Sequence, residues 1–246
     1  MARSDVLKVR DISVNRGNSL ALDGVSLSIE ESRTLAVVGE SGAGKSSLIA
    51  SILGLLPLSN GTITWSGQPV RACRPALVMQ EPRAAFNPVH SLRNSVLEPI
   101  SAQKVKIPID RLSRLCEGLE ISPDLLDRKP TEVSIGQAQR AGILRALIAA
   151  PPLILFDEPL SALDAVTQKH TARLIADLQA EEGFTALIVT HDLGYACAYA
   201  DQIAVLRAGR IEEVAEPRTF VSNPQTDYGR ILRNVAFSLG ALEQVA

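Results

Sequence analysis

A chain of 246 residues with 46% hydrophobic but only 4% aromatic residues must build an aliphatic core, of the kind found around a buried parallel sheet. Its length fits one large domain or one domain carrying a subdomain, and a formal net charge of −2 gives no global field favouring DNA or an anionic membrane. Cys73, Cys116 and Cys197 are scattered, with no CxxC pair, which argues against a metal knuckle or a disulfide framework and suits a reducing cytosol.

The opening MARSDVLKVRD has no apolar core of signal-peptide length. The longest apolar run, ALIAAPPLILF, is broken by Pro151 and Pro152 and is too short to span a bilayer. The expectation is a soluble chain, in which any membrane role would come through a partner. NGT at Asn60 fits a glycosylation sequon but reads as an Asn-Gly turn.

In chain order, VLKVRDISV and LALDGVSLSIE alternate apolar and polar residues, as half-buried strands do, and TLAVVG reads as a central buried strand. A glycine-rich turn follows, then the amphipathic stretch KSSLIASILGLL. GTITWSG is a short strand and ALVMQ a further buried one. From Glu81 to about Arg140 the texture becomes helix-like, as in RLSRLCEGLE, which predicts a helical subdomain at about 81–145. The α/β alternation then resumes with strand LILF, helix AVTQKHTARLIADLQ, strand TALIVT, helix LGYACAYA and strands QIAVLRAG and RIEEVA. Such alternation implies a mainly parallel sheet covered on both faces.

GESGAGKSS, from Gly39 to Ser47, fits G-x-x-x-x-G-K-[ST] between a buried strand and a helix. Gly39, Gly42 and Gly44 let the backbone wrap an anion without Cβ clashes, while Glu40, Ser41 and Ala43 complete the turn. Successive N–H groups and the helix N-terminus then face the phosphates. Lys45 reaches the β- and γ-phosphates as a point charge, and Ser46, beside Ser47, is placed to ligate Mg²⁺.

LILFDEP ends a buried strand in Asp157 and Glu158. Adjacent acids there serve a cation or a proton transfer, or else sit at a strand exit facing solvent. In the first reading Asp157 holds Mg²⁺ and Glu158 polarises an attacking water. LIVTHDL delivers His191 to the same C-terminal edge of the sheet, favouring a γ-phosphate contact. Gln80, ending ALVMQ, arrives in the same way and is placed to touch Mg²⁺ or the attacking water.

In VSIGQAQR, Ser134 and Gln137 have the S-x-x-Q spacing of a capping box. Ser134 is expected to cap the helix GQAQRAGILRALIAA and to leave N–H groups and a positive dipole end facing outward. Ile135 carries the open question. A β-branched residue is strained if the position needs φ > 0, and costs only some crowding if it does not.

The ordered set GESGAGKS, Gln80, VSIGQ, LILFDEP, SALD and His191 resembles the ATP-binding subunit of ABC transporters over essentially the whole chain. The resemblance implies an α/β P-loop NTPase fold with a mainly parallel central sheet, an N-terminal antiparallel β subdomain and a helical insertion, so that residues 1–246 form one ABC ATP-binding domain. It implies ATP and Mg²⁺ as ligands, with Ser46, Gln80 and Asp157 around the Mg²⁺. Glu158, His191 and Gln80 become the catalytic group. A head-to-tail dimer with a homologous or identical ATPase subunit follows, each ATP lying between one phosphate loop and the partner's signature loop, here Ser134, Ile135, Gly136 and Gln137. Ser161 and Asp164, in SALD, cross that interface.

Two departures stand out. Ile135 replaces a glycine of the family's LSGGQ. Arg16, in SVNRGNS, stands where an adenine-stacking aromatic is usual; it either stacks through its guanidinium or is a solvated hairpin arginine.

QEPRAAFNPVHSL, with Asn87 and Pro88, and SNPQTDY, with Asn223, Pro224 and Tyr228, are similar to ATPases of the dipeptide, oligopeptide and nickel importer subfamily. TWSGQPV and the chain's length lean to its nickel-type members. With no cysteine after Cys197, no iron–sulfur site is expected. The implied role is an ATP-hydrolysing subunit for import of nickel, a metal chelate or short peptides. It would sit peripherally at the cytoplasmic face of the inner membrane through two permease subunits, served indirectly by an extracytoplasmic binding protein, with no nucleic-acid partner. The alternatives are an ATP-binding regulatory or assembly subunit with little hydrolysis, and a soluble ABC-type ATPase not linked to transport.

Overall fold

The computed structural model describes residues 4–17, 19–104 and 106–242, so residues 1–3 of the opening stretch lie outside the described residues. In chain order the elements are β1 (Asp5–Arg16), β2 (Ser19–Glu30), β3 (Thr34–Val38), α1 (Lys45–Ile52), β4 (Asn60–Trp65), β5 (Gln68–Pro69) and β6 (Ala76–Val78). Four helices follow: α2 (Leu92–Gln103), α3 (Arg111–Gly118), α4 (Pro123–Leu126) and α5 (Ile135–Leu147). Then come β7 (Leu153–Asp157), α6 (Ala165–Glu182), β8 (Thr185–Thr190), α7 (Leu193–Tyr199), β9 (Gln202–Arg207), β10 (Arg210–Ala215), α8 (Pro217–Ser222) and α9 (Asp227–Ser238). The chain divides into two compact units, residues 1–75 with 185–246, and residues 76–184.

In the first unit, β1 pairs antiparallel with both β2 and β4 in a sheet ordered β2-β1-β4-β5. In β1, Leu7 and Val9 point inside, and a register shift between Val9 and Ile12, where Asp11 takes φ +48°, brings Ile12 and Val14 inside as well, each of the four at most 2% exposed. A second ladder runs β10-β9-β3-β8, with β3 parallel to both β8 and β9 and only β9–β10 antiparallel. Every residue of β3 and β8 is buried, as a strand covered on both faces requires. Helices α7, α8 and α9 contribute Leu193, Ala196, Phe220, Tyr228 and Ala236 to a core shared with Ala36, Val38, Ile203 and Val205.

In the second unit, β6 and β7 pair in parallel. Between them the described chain runs only through helices and turns. Arg111, 6% exposed, donates to the carbonyls of Leu147 (2.8 Å) and Ile148 (3.1 Å) at the end of α5, and pairs with Glu182 at 2.7 Å. A guanidinium there satisfies orphan carbonyls and complements the negative end of the helix dipole.

Several boundaries differ from the sequence reading. Helix α1 stops at Ile52, because Gly54 adopts φ +72° and turns the chain before Leu55 and Leu56. β6 ends at Val78, leaving Met79 and Gln80 exposed, and its Ala76 and Leu77 are only half-buried. Helix α6 runs on to Glu182, stopped by Gly183 at φ +69°.

Candidate functional site

β3 delivers Gly39 at its C-terminal end. A Cβ there would stand 2.1 Å from the carbonyl oxygen of Leu206, so only glycine lets the chain pass. Gly42 takes φ +83° and Gly44 φ +110°, and a Cβ on Gly44 would lie 2.6 Å from the Ala21 carbonyl oxygen. Gly44 is the N-cap of α1, and no side chain caps that end. The side chain of Lys45, 6% exposed, bends back so that Nζ donates to the carbonyls of Gly39 (2.8 Å) and Glu40 (3.0 Å). A glycine turn, a helix N-terminus left uncapped by side chains and a folded-back ammonium form a cationic loop suited to a polyphosphate.

His191 leaves β8 one residue beyond Thr190, which stands opposite Val38 in the parallel ladder. His191 and Gly39 therefore emerge side by side from the same edge. The turn is fixed by Asp192, whose N–H donates to Thr190 Oγ1 (3.0 Å) and whose carboxylate accepts from Tyr195 N (2.9 Å). Arg16 ends β1 opposite Ser19, exposed to solvent. In the same sheet, Ala21 and Leu22 approach Gly44 of the phosphate loop.

In the second unit, Val78 of β6 stands opposite Phe156 of β7, so Gln80 and Glu158 each lie two residues past that pair. Leu153 to Phe156 are fully buried, and Asp157 and Glu158 are half-buried at the strand exit. Glu158 takes φ +44°, a left-handed backbone that costs a residue with a Cβ about 1 kcal/mol. No pattern in the sequence signals this. The Glu158 carbonyl accepts from Ser161 N (3.2 Å) and Ser161 Oγ (3.1 Å), which closes the turn.

Asp164 is the N-cap of α6. Its carboxylate accepts from Val166 N (3.1 Å), Thr167 N (3.0 Å) and Thr167 Oγ1 (2.7 Å). The two Thr167 donors lead in holding its pKa below the ordinary aspartate value. This capping role was not read from SALD, although Asp followed by a helical run is the usual signal for it.

Ser134 caps α5 with the full capping box: Ser134 N donates to Gln137 Oε1 (2.9 Å), and Gln137 N to Ser134 Oγ (3.2 Å). Ile135 is the first helical residue, 43% exposed, and is not among the residues with positive φ. Of the two alternatives for this position, ordinary dihedrals hold. Gly136 is the constrained residue, since a Cβ there would stand 3.0 Å from Thr167 Cγ2.

Residues 22–161 match the ABC transporter family. Among curated proteins, the chain is 34% identical to the oligopeptide transport ATP-binding protein OppF of Escherichia coli, over 86% of this chain and 68% of that one. It is 33% identical to a putative peptide import ATP-binding protein of Brucella ovis, over 94% and 78%. Among solved structures, cbiO1 from Clostridium perfringens, part of the ABC transporter complex cbiONQ, superposes with a TM-score of 0.78 at 26% identity, over 98% of this chain and 99% of that one. The ATP-binding cassette MJ0796, in a dimeric post-hydrolysis state bound to ADP and Pi, gives 0.75 at 27% identity, over 86% and 99%. The chain belongs to the ABC transporter family, as one of its ATP-hydrolysing cassettes.

Proposed function

We propose that this cassette energises the import of short peptides through a membrane ABC transporter. The observation that carries the ATP-driven part is the buried Lys45 ammonium folded into a turn that only glycines can form, with His191 on the adjacent strand end. Of the cargoes nickel, a metal chelate and short peptides, the peptide-transport names of the curated relatives favour peptides. Among the described residues no helix is long and apolar enough to cross a membrane. A peripheral place at the cytoplasmic face, through two permease subunits and with an extracytoplasmic binding protein acting indirectly, is part of the proposal, supported by the transport ATP-binding names of the curated relatives.

In this reading two cassettes, identical or homologous, pair head to tail. The phosphate loop from Gly39 to Ser47 holds the β- and γ-phosphates of one ATP. The capped start of α5, with Ser134, Gly136 and Gln137 beside Ile135, presents N–H groups to the ATP of the partner cassette. Ser161 and Asp164 lie along the same interface. Ser46, Gln80 and Asp157 offer hydroxyl, amide and carboxylate oxygens, the hard donors that suit Mg²⁺, which when bound neutralises charge on the phosphates.

Glu158 orients water for in-line attack, and His191 contacts the γ-phosphate. ATP stabilises the closed dimer only in so far as it binds that state more tightly than the open one. Ordinary backbone dihedrals at Ile135 favour this reading over a subunit that scarcely hydrolyses ATP. The test is peptide uptake by vesicles carrying the assembled transporter. Uptake that needs ATP and is lost in Lys45→Ala supports the proposal, whereas ATP-dependent uptake of nickel without peptide uptake would reassign the cargo.

A further inference from the structure

The residue before the signature loop carries a carbonyl that the signature helix does not use. Val133, 4% exposed, precedes the N-cap Ser134, and the first bond of α5, from Ala138 N, goes to the Ser134 carbonyl (2.9 Å). The Val133 carbonyl therefore lies outside the helix ladder, and at a buried residue it needs a donor from elsewhere.

Arg83 supplies that donor. It opens the short turn Arg83–Ala85, three positions past Gln80, and its Nη2 donates to the Val133 carbonyl. The other half of the same peptide unit is held as well, because Ser134 N donates to Gln137 Oε1 (2.9 Å). The Val133–Ser134 peptide is thus fixed from two sides, by a guanidinium and by the capping box.

The turn that carries Arg83 is itself tied to α5. Phe86, 5% exposed, lies against Gly142, where an added Cβ would meet Phe86 Cζ at 4.0 Å. The Arg145 guanidinium stands 6.0 Å from the Phe86 ring centroid, and it donates to the Ala85 carbonyl and to Glu98 Oε2 in α2 (2.8 Å). Helix α5 has 13 residues, which makes it about 20 Å long. Arg83 and Arg145 therefore strap residues 83–86 to it near opposite ends, one at the signature loop and one in the last turn.

We propose that Arg83 is a positioning residue for the signature loop: by holding the Val133 carbonyl it sets how Ser134 and Gly136 face the ATP of the partner cassette. Arg145 anchors the turn from which Arg83 reaches. The inference rests on the reading that the start of α5 serves a partner's ATP.

The test compares Arg83→Gln and Arg83→Lys with the parent, measuring ATP binding by the single cassette, ATP-dependent dimerisation, kcat and melting temperature. Arg83 is an exposed residue, so both variants are expected to melt with the parent. Arg83→Gln is expected to weaken ATP-dependent dimerisation and to lower kcat, each about tenfold, the size of one hydrogen bond from a charged group. ATP binding by the single cassette, which uses the phosphate loop, is expected to stay unchanged. Arg83→Lys keeps one charged donor for a carbonyl that takes only one, and is expected to restore most of the loss. Parent-like dimerisation and kcat in Arg83→Gln, a loss that Arg83→Lys does not relieve, or a loss matched by weaker single-cassette binding or a lower melting temperature would overturn the inference. A parent that binds ATP without dimerising would instead overturn the reading of α5 as a site for the partner's nucleotide.

Discussion

Gly136, in the first turn of α5, and Thr167, in the first turn of α6, approach so closely that a Cβ on the glycine would stand 3.0 Å from Thr167 Cγ2. Thr167 is also the residue whose N–H and hydroxyl bind the Asp164 carboxylate. The signature loop and the SALD segment are thus joined through one side chain within the second unit.

The contact ranks the two neighbouring signature positions. Gly136→Ala is expected to push the α5 N-terminus off Thr167 and lower ATP turnover by on the order of tenfold or more. Ile135→Gly, at an exposed position with ordinary dihedrals, is expected to leave turnover unchanged or to raise it. Steady-state ATPase rates of the two variants check the order. A large loss in Ile135→Gly alone would show that the isoleucine is required.

Asp164 gives a pH dependence. Its folded pKa lies below the ordinary aspartate value, so the cap stabilises the protein above the unfolded pKa. That stabilisation is lost as pH falls through the folded pKa. Asp164→Ala is expected to lower the melting temperature at neutral pH, with the gap to the parent closing once pH drops below the usual carboxylate range. Thermal melts across acid pH measure it, and a gap that persists in strong acid would show that ionisation is not the source.

Gly39→Ala tests the floor of the phosphate loop. With Leu206 carbonyl oxygen 2.1 Å from the new methyl, the backbone must shift, at a cost of about 1–3 kcal/mol. The expected result is a lower denaturation midpoint together with weakened ATP binding. Retained stability with unchanged ATP affinity would contradict the close approach.

The thiols are expected to be sluggish. Burial pushes Cys73 up to about 11 and Cys197 up to about 12, so little thiolate exists at neutral pH. Alkylation of the native protein is expected to be slow at pH 7 and to accelerate as pH rises. Rapid modification of Cys197 at neutral pH would contradict its burial.

Much of this site was legible in the sequence because it rests on chain-local chemistry. The strand-turn-helix around Gly39 to Ser47 and the capping box of Ser134 and Gln137 are written in residue type and spacing. Features set by backbone angle or by distant contacts were not. The left-handed φ of Glu158 has no signal in LILFDEP, and whether Ile135 was strained turned on a dihedral that spacing does not encode. Helices α8 and α9 carry little sequence signal because α8 is short, begins at Pro217, and is joined to α9 by a turn-like segment, NPQT. The contact of Tyr228 with Arg207 depends on the fold and not on sequence neighbourhood.

In the proposed function Glu158 is the residue on which ATP hydrolysis turns, and Glu158→Gln keeps the shape of the side chain while removing its base. The decisive measurement is ATP turnover by the purified parent and by Glu158→Gln, with ATP-dependent dimerisation read on the same samples. Turnover is predicted in the parent and lost in the variant, which should still dimerise and hold ATP. A Glu158→Gln protein that hydrolyses ATP at the parent's rate would contradict the assignment of this cassette's catalytic centre.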